Sequence, residues 1–307
     1  MKFISAQPDS DYFVWQVRVQ MNNFKKFDIE KDAIVLFAYD KKINPNAKKL
    51  LKETKATIIF IQDKRTAAQR NYIPSVRPHI IKEFFGNYRN LVDGHDIFYH
   101  DCDIIFSSLP DFNTMSQNGE ITVSDTISYL GAHYINSKGK GLLEEMCSVV
   151  GIEPDLVVKN EKKTGGAQYY IPSSVTMDYV FWNKIERDSI ALFDLMVKTS
   201  KKYTPSHPIQ SWTADMWALL WSFWAKGYDS VISKELAFSW PTLEVEKWNE
   251  QHIFHNAGVT PDRGDLFYKG AFIKASPFNS NHENVSPRFC SIKYVEEIME
   301  TAKLLKK

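Results

Sequence analysis

Residues 33–62 read AIVLFAYDKKINPNAKKLLKETKATIIFIQ. Ala33 to Ala38 and Thr57 to Gln62 are continuous apolar, β-branched runs closed by polar turns, the pattern of strands buried on both faces of a parallel sheet. Between them Asn46 to Thr54 reads as a helix. Strand, helix and strand in this order predict an α/β fold built on an open, mostly parallel, twisted sheet flanked by helices. Sheets of that kind take their ligands beyond the carboxyl ends of the strands.

Upstream, Lys2 to Ala6 is a predicted strand and Gln7 to Asp11 a polar loop. Val14, Val17, Met21 and Phe24 then recur at helical spacing, so the first strand feeds a helix directly. Downstream, the pattern predicts a helix over Ile80 to Leu91, after Pro78, and strands at Asp96 to Tyr99 and Ile104 to Phe106. Further strands are expected at Glu120 to Asp125 and Ser128 to Ile135, a helix at Gly141 to Val150, and a polar loop from Lys159 to Gly166. Helices are predicted over Val180 to Ser200, Ala214 to Ala225 and Ile292 to Leu305. No internal repeat or linker interrupts the chain, so a single domain over 1–307 is expected.

Composition narrows the function classes. Lysine and arginine number 38 against 37 acids, a net charge of +1, which excludes a global basic field for nucleic acid. Basic residues are nonetheless crowded early, at Lys41, Lys42, Lys48, Lys49, Lys52, Lys55, Lys64, Arg65 and Arg70. Such a run is ordinarily a solvated helix face, and it also suits tracking of phosphates. Eight Trp within a 14% aromatic share lean towards a site that stacks on sugars or bases. Cys102, Cys147 and Cys290 show no paired spacing, which argues against a disulfide framework or a thiolate zinc site. The first residues do not form a signal peptide and no apolar run of about eighteen residues follows, so a cytoplasmic protein without a membrane span is expected.

The chemistry is expected at Asp101-Cys102-Asp103, after the strand that ends at Tyr99. Side chains two apart in extended backbone point the same way, so both carboxylates can face one divalent cation while Cys102 turns inward. Mn²⁺ or Mg²⁺ on such a pair neutralises a diphosphate, which gives a sugar nucleotide as the natural ligand. The triplet alone arises by chance in many chains; its position after a buried strand is what gives it meaning. His255, in Ile253-Phe254-His255-Asn256-Ala257-Gly258, is the candidate third ligand, with a satisfied core histidine as the plainer reading. Lys269 is a candidate for the same diphosphate or else a surface lysine. Gly166 and Gln168, in Gly165-Gly166-Ala167-Gln168, offer a close backbone approach and an amide for sugar hydroxyls, or else only a turn before a strand. Asp215 opens a helix behind Trp212 and Thr213, where it either orients a hydroxyl or complements the helix dipole.

In this order the motifs resemble the hydroxyproline O-arabinosyltransferases and peptidyl-serine galactosyltransferases, glycosyltransferases of the GT-A fold. The resemblance is carried by Tyr12-Phe13-Val14-Trp15-Gln16, Arg77-Pro78, Asp101 to Asp103, Gly165 to Gln168, Asp215-Met216 where the family has Glu-Met, and His255. Cys102 stands where that family usually has Pro, and no counterpart of the family's membrane anchor is expected. A compact chain rich in Lys and Asn is also similar in style to phage enzymes that add arabinose to 5-hydroxymethylcytosine in DNA.

The resemblance implies a Rossmann-like nucleotide-sugar half over 1–110 and an acceptor half over 111–307. It implies a UDP-sugar donor, UDP-arabinose, with Gln7 and Asp11 at uridine, and Arg77, Gly166 and Lys269 beside Asp101 at the diphosphate. Configuration is expected to be retained, the departing phosphate taking the acceptor proton, with Gln168 at the sugar; under inversion Asp215 or Asp178 is the candidate base. The expected acceptor is DNA, in a host cytoplasm if the chain is phage-encoded, or alternatively hydroxyproline or serine of a protein. No obligate protein partner is expected. Two other classes stay open: a metal-dependent phosphohydrolase or nuclease, and a carbohydrate- or nucleic-acid-binding module without catalysis.

Overall fold

In the computed structural model, which describes residues 1–115, 119–203 and 207–306, strands and helices alternate from the start. β1 (Lys2–Pro8) leads into α1 (Asp11–Lys26), β2 (Ala33–Tyr39) into α2 (Pro45–Glu53) and β3 (Thr57–Gln62) into α3 (Val76–Asn87). Then come β4 (Ile97–Tyr99), β5 (Ile104–Phe106), β6 (Ile121–Asp125) and four short helices, α4 (Ile127–Leu130), α5 (Ala132–Lys138), α6 (Leu142–Val150) and α7 (Pro154–Lys159). β7 (Gly165–Ile171), α8 (Tyr179–Tyr203), α9 (Ala214–Ala225), β8 (Ser230–Ile232), β9 (Phe238–Ser239), β10 (Ile253–His255) and α10 (Ser291–Leu305) complete the chain. The fold is mixed α/β: a seven-stranded, mostly parallel sheet flanked by helices, and a second sheet of three strands ordered β5-β10-β9. Among the described residues no helix is long and apolar enough to cross a membrane.

Two compact units are each assembled from separated stretches of chain. The first unit comprises Lys2–Phe60, His100–Asn113 and Lys234–Lys307. Its β1 and β2 run parallel, from Phe3 opposite Ala33 to Pro8 opposite Ala38, and β2 is buried along all but its last residue, as its apolar run requires. α2 starts where Pro45 occupies the first turn and the Asn44 side chain accepts the amide of Asn46 at 2.8 Å. Its last residue, Glu53, is gripped through both oxygens by Arg18 of α1, at 2.7 and 3.1 Å. The core of this unit gathers Trp15 and Val19 of α1, Ile105 of β5, Phe254 of β10, Phe267, and Tyr294, Val295 and Ile298 of α10.

The second unit comprises Met1, Ile61–Tyr99 and Thr114–Ser233. Its strands follow the order β4-β7-β6-β8; β7 runs antiparallel to β4 and β6, and β8 parallel to β6. α8 packs on α3 and α9. Trp217 and Trp221 are fully buried, and the Trp217 indole N–H donates to Leu130 O at 2.8 Å. Five of the eight Trp, at 15, 182, 217, 221 and 224, are core residues, so most of the indole content serves packing rather than a stacking site.

Four expectations are corrected. β3 stands at the edge of its sheet and is buried only at Ile59 and Ile61, so its apolar run is covered on one face rather than two. Ser128 to Ile135 is helical, divided between α4 and α5 at Gly131; each piece is too short to display a 3.6-residue period, so its apolar positions mimic alternation. The helix expected from Ile80 starts at Val76, because Pro78 sits in the first turn, where its missing N–H costs no hydrogen bond. Gly165 and Gly166 belong to β7 itself rather than to a preceding loop. The register of β6 against β7 shifts at Val123/Ser124, and Ala167 takes a left-handed φ of 64° beside it. A Cβ at Gly165 would stand 2.2 Å from Val123 Cγ2 and 2.4 Å from Ser124 O, so only glycine fits there.

Two stability effects follow. Gly165→Ala forces its new methyl against the Ser124 backbone and is expected to lower stability by about 2 kcal/mol or more, read from the urea midpoint. In the second unit the buried Glu186 accepts from His79 Nδ1 at 2.8 Å and from Lys82 Nζ at 2.5 Å. Burial raises the Glu186 pKa, but these two partners outweigh it and leave the carboxyl below its usual range. Its stabilisation is therefore complete above the unfolded carboxyl pKa and is lost as pH falls through the lower folded one. Glu186→Ala, which leaves Lys82 buried without its partner, should cost about 3–5 kcal/mol at neutral pH, and its deficit should shrink on acidification.

Candidate metal centre

β4 ends at Tyr99 and β5 begins at Ile104, and the turn between them carries Asp101, Cys102 and Asp103. The two carboxylates therefore converge from a turn, not from the extended backbone expected from the sequence. Cys102 is buried as anticipated, and burial pushes its thiol pKa up. The turn is fastened from beneath. His100 N donates to Ile4 O at 3.0 Å, and the Gln20 side chain donates to the carbonyls of Asp101 at 3.0 Å and Ile104 at 3.3 Å. His100 Nδ1 lies 2.9 Å from Asp101 O, and burial pushes its pKa down to about 4, so this imidazole is a neutral structural group near pH 7.

His255 arrives on β10, which pairs antiparallel with β5 so that Ile253, Phe254 and His255 face Phe106, Ile105 and Ile104. One residue further, Asn256 N donates to Asp103 O at 3.0 Å. This register sets the imidazole beside the acidic pair: Nε2 is 3.3 Å from Asp103 Oδ1 and 3.6 Å from Asp101 Oδ2. Trp240 stacks on the ring at a centroid distance of 6.0 Å and an angle of 12°, and Phe238 meets it edge-on. Lys269, on the short turn Lys269–Phe272, places its ammonium on Asp103 Oδ2. Burial favours a protonated Asp103, but Lys269 and His255 outweigh it and hold the carboxyl well below the usual range. The same pair acts in the opposite sense on Lys269: burial lowers its pKa, and Asp103 raises it above the ordinary lysine value.

The donor set fits a hard divalent cation. One ligand atom from each of Asp101, Asp103 and His255 lies within 4.8 Å of the others. Ligands roughly 2.1 Å from Mg²⁺ in octahedral geometry stand about 3 Å apart, close to the observed spacing. Two carboxylates and one imidazole suit Mn²⁺ or Mg²⁺ better than a thiolate-seeking metal, and the neighbouring thiol, Cys102, is buried and protonated. Two carboxylates against one ammonium also leave an excess of negative charge at the cluster, which a divalent ion would reverse.

The remaining candidates are placed as follows. In the first unit, Gln7 is buried and its amide donates to Leu36 O at 2.9 Å, while its Oε1 has no partner among the described residues. Asp11 is exposed and accepts from Asn44 and Asn46 at 2.9 and 3.0 Å; these two bonds lower its pKa. In the second unit, Arg77 Nε donates to Asp215 Oδ2 at 2.8 Å, and Tyr72 Oη donates to Asp215 Oδ1 at 2.8 Å. Asp178 caps α8, accepting the Phe181 amide at 2.7 Å. Gln168 is fully buried and accepts from Ser124 Oγ at 2.6 Å. A Cβ at Gly166 would meet Met216 Cε at 2.6 Å, so close helix–strand packing accounts for that glycine.

The sequence reading missed Gln20, His100, Trp240, Asn256 and Tyr72. Gln20 has a visible signal, since it falls on the face of α1 marked by Val17 and Phe24, where an amide must find a buried partner. Trp240, Asn256 and Tyr72 have none, because their roles come from contacts between distant segments.

No protein-family model matches the chain, and none of the curated proteins does. Among solved structures, the chain is similar to galactosyltransferase LgtC in complex with donor and acceptor sugar analogs, at 12% identity and a TM-score of 0.46, covering 98% of this chain and 96% of that one. A second structure of LgtC, carrying an active-site mutation, gives 12% identity and a TM-score of 0.46 over 97% and 95%. Mouse xyloside xylosyltransferase 1 in its apo form gives 10% identity and a TM-score of 0.39 over 85% of this chain and 98% of that one. At these values the likenesses carry no functional argument.

Proposed function

We propose that the chain is a glycosyltransferase of the GT-A kind that uses a UDP-sugar donor and a divalent cation, Mn²⁺ or Mg²⁺. The observation that carries the reading is the convergence of Asp101, Asp103 and His255, with Lys269 on the same carboxylate. When bound there, the cation supplies Lewis-acid neutralisation of the donor diphosphate.

The chain's own residues would do the rest. Asp103 is ionised throughout the neutral range, so no proton must leave before a cation binds. With its carboxylate partner Asp103 committed to a cation, the Lys269 ammonium would be available to the diphosphate as a point charge. Gln7 and Asp11 lie in the same unit as the triad, at the carboxyl end of β1, where they are suited to uridine. Charge collecting on the leaving phosphate would be met by Lys269 from a fixed turn, which needs little reorganisation at the moment of reaction. Retention of configuration, arabinose as the sugar and 5-hydroxymethylcytosine in DNA as the acceptor are the finer proposal, and their support is the sequence resemblance alone. Hydroxyproline or serine is the alternative acceptor.

The test is UDP release from a panel of UDP-sugars with Mn²⁺ present. The expected result is metal-dependent release of UDP, falling by more than about 100-fold in Asp103→Ala with the circular dichroism spectrum unchanged. Release of nucleoside monophosphate, or cleavage of added DNA, would mark a phosphohydrolase or nuclease; sugar binding indifferent to metal would mark a binding module. By titration calorimetry, His255→Ala should weaken Mn²⁺ binding by at least about 10-fold, and an unchanged affinity would remove the imidazole from the ligand set.

A further inference from the structure

The β5–β10 ladder that carries the acidic pair and His255 at one end carries a second constellation at the other. Past the last strand pair, Ile253 opposite Phe106, Ser107 N donates to His252 O at 2.9 Å, which extends the register by one step. The next residue, Ser108, meets the His252 side chain: Oγ lies 2.8 Å from Nδ1. On the far side of the ring, Nε2 lies 3.2 Å from Glu235 Oε2, and that oxygen also accepts the Asp111 amide at 2.7 Å. All three residues belong to the first unit, Glu235 coming from the short turn Lys234–Leu236. The imidazole therefore stands between a hydroxyl and a carboxylate. A carboxylate beside Nε2 favours the tautomer with its proton on that nitrogen, which leaves the Nδ1 lone pair to receive the proton of Ser108 Oγ. Ser108 is exposed, and the side chains of His252 and Glu235 are 34% and 31% exposed, so a small acyl group can reach the hydroxyl. Among the described residues the amides of Ser108 and Leu109 donate to no protein acceptor. A nucleophile's own amide and the one after it are the donors that hold the oxyanion in serine acyl transfer.

We infer that Ser108, His252 and Glu235 form a second catalytic site, which hydrolyses activated carboxylic esters through an acyl-serine. Ser108 Oγ bonds to the ester carbonyl carbon while His252 Nδ1 takes the hydroxyl proton. The ester C–O bond then breaks, and the alcohol leaves with that proton. Water, deprotonated by the same nitrogen, opens the acyl-serine, and the acid departs as the serine hydroxyl is restored. Glu235 is a positioning residue: it fixes the tautomer of the ring and offsets the charge the ring gains in each transfer. The chemistry draws on no cation and on no residue of the metal centre, so it stands or falls apart from the transferase reading.

The experiment treats the full chain, with EDTA present, with a fluorophosphonate probe and locates the adduct by peptide mass spectrometry; turnover of p-nitrophenyl acetate is followed in parallel. The expected result is an adduct at Ser108 that vanishes in Ser108→Ala and forms about 100-fold or more slowly in His252→Gln, with circular dichroism spectra unchanged. Ester turnover should fall in the same two variants. Adding Glu235→Gln to His252→Gln should cost nothing further, because the carboxylate acts only through the ring, whereas a merely structural Glu235 would add a loss of its own. Absence of an adduct, an adduct on another residue in place of Ser108, or ester turnover unchanged in Ser108→Ala would each overturn the inference, and an additive loss in the double variant would remove Glu235 from it.

Discussion

The backbone pairing of β10 with β5 is the constraint on which the site depends. Residues about 150 positions apart must be aligned to within one register step, since a slip of one residue would turn His255 to the other face of its strand. The alignment is enforced beyond the three-residue ladder. The amide of Asn256 ends it on Asp103 O, and Phe254 anchors β10 in a core shared with Trp15, Phe267 and Tyr294. Apolar burial of these aromatic side chains, each worth roughly 1.5–3 kcal/mol, therefore stabilises the fold and fixes the position of the His255 imidazole at once.

The same unit manages an electrostatic problem. Asp103 is buried, and a buried carboxylate is costly unless it is paired. Lys269 and His255 supply that pairing and leave Asp101 half-exposed, so the cluster keeps a negative excess that opens towards solvent at that carboxylate. A resting ion pair that can hand its carboxylate to a metal is pre-organised: the acid is already ionised and placed, and the ammonium is already close. His100 and Gln20 hold the turn below by neutral hydrogen bonds, adding no charge to the balance.

Much of this was legible in the sequence, for physical reasons that differ by element. β2 declared itself because a strand covered on both faces must be apolar throughout, and α9 matched its predicted bounds, Ala214 to Ala225. β3 was legible as a strand but not as an edge, since its apolar run looks the same in either place. Asp101, Asp103 and His255 could be named together because their side-chain chemistry points to one ligand class. What stayed hidden was geometry that no local pattern encodes. The turn at Cys102, the stacking of Trp240 on His255 and the Tyr72–Asp215–Arg77 cluster arise from chain segments that meet only after folding. The glycine pair at 165 and 166 was readable as special, but the cause is a bulge in β6–β7 and the nearness of Met216. The Trp content, which invited thoughts of a stacking site, is mostly spent on the core.

The most direct measurement is anomalous diffraction at the manganese edge from crystals grown with Mn²⁺ and UDP. The account predicts one strong peak at roughly 2.0–2.3 Å from oxygens of Asp101 and Asp103 and from His255 Nε2, with the UDP phosphates on its open side. Ordered manganese bound elsewhere, with the Asp103–Lys269 pair and His255 left as they stand, would contradict it.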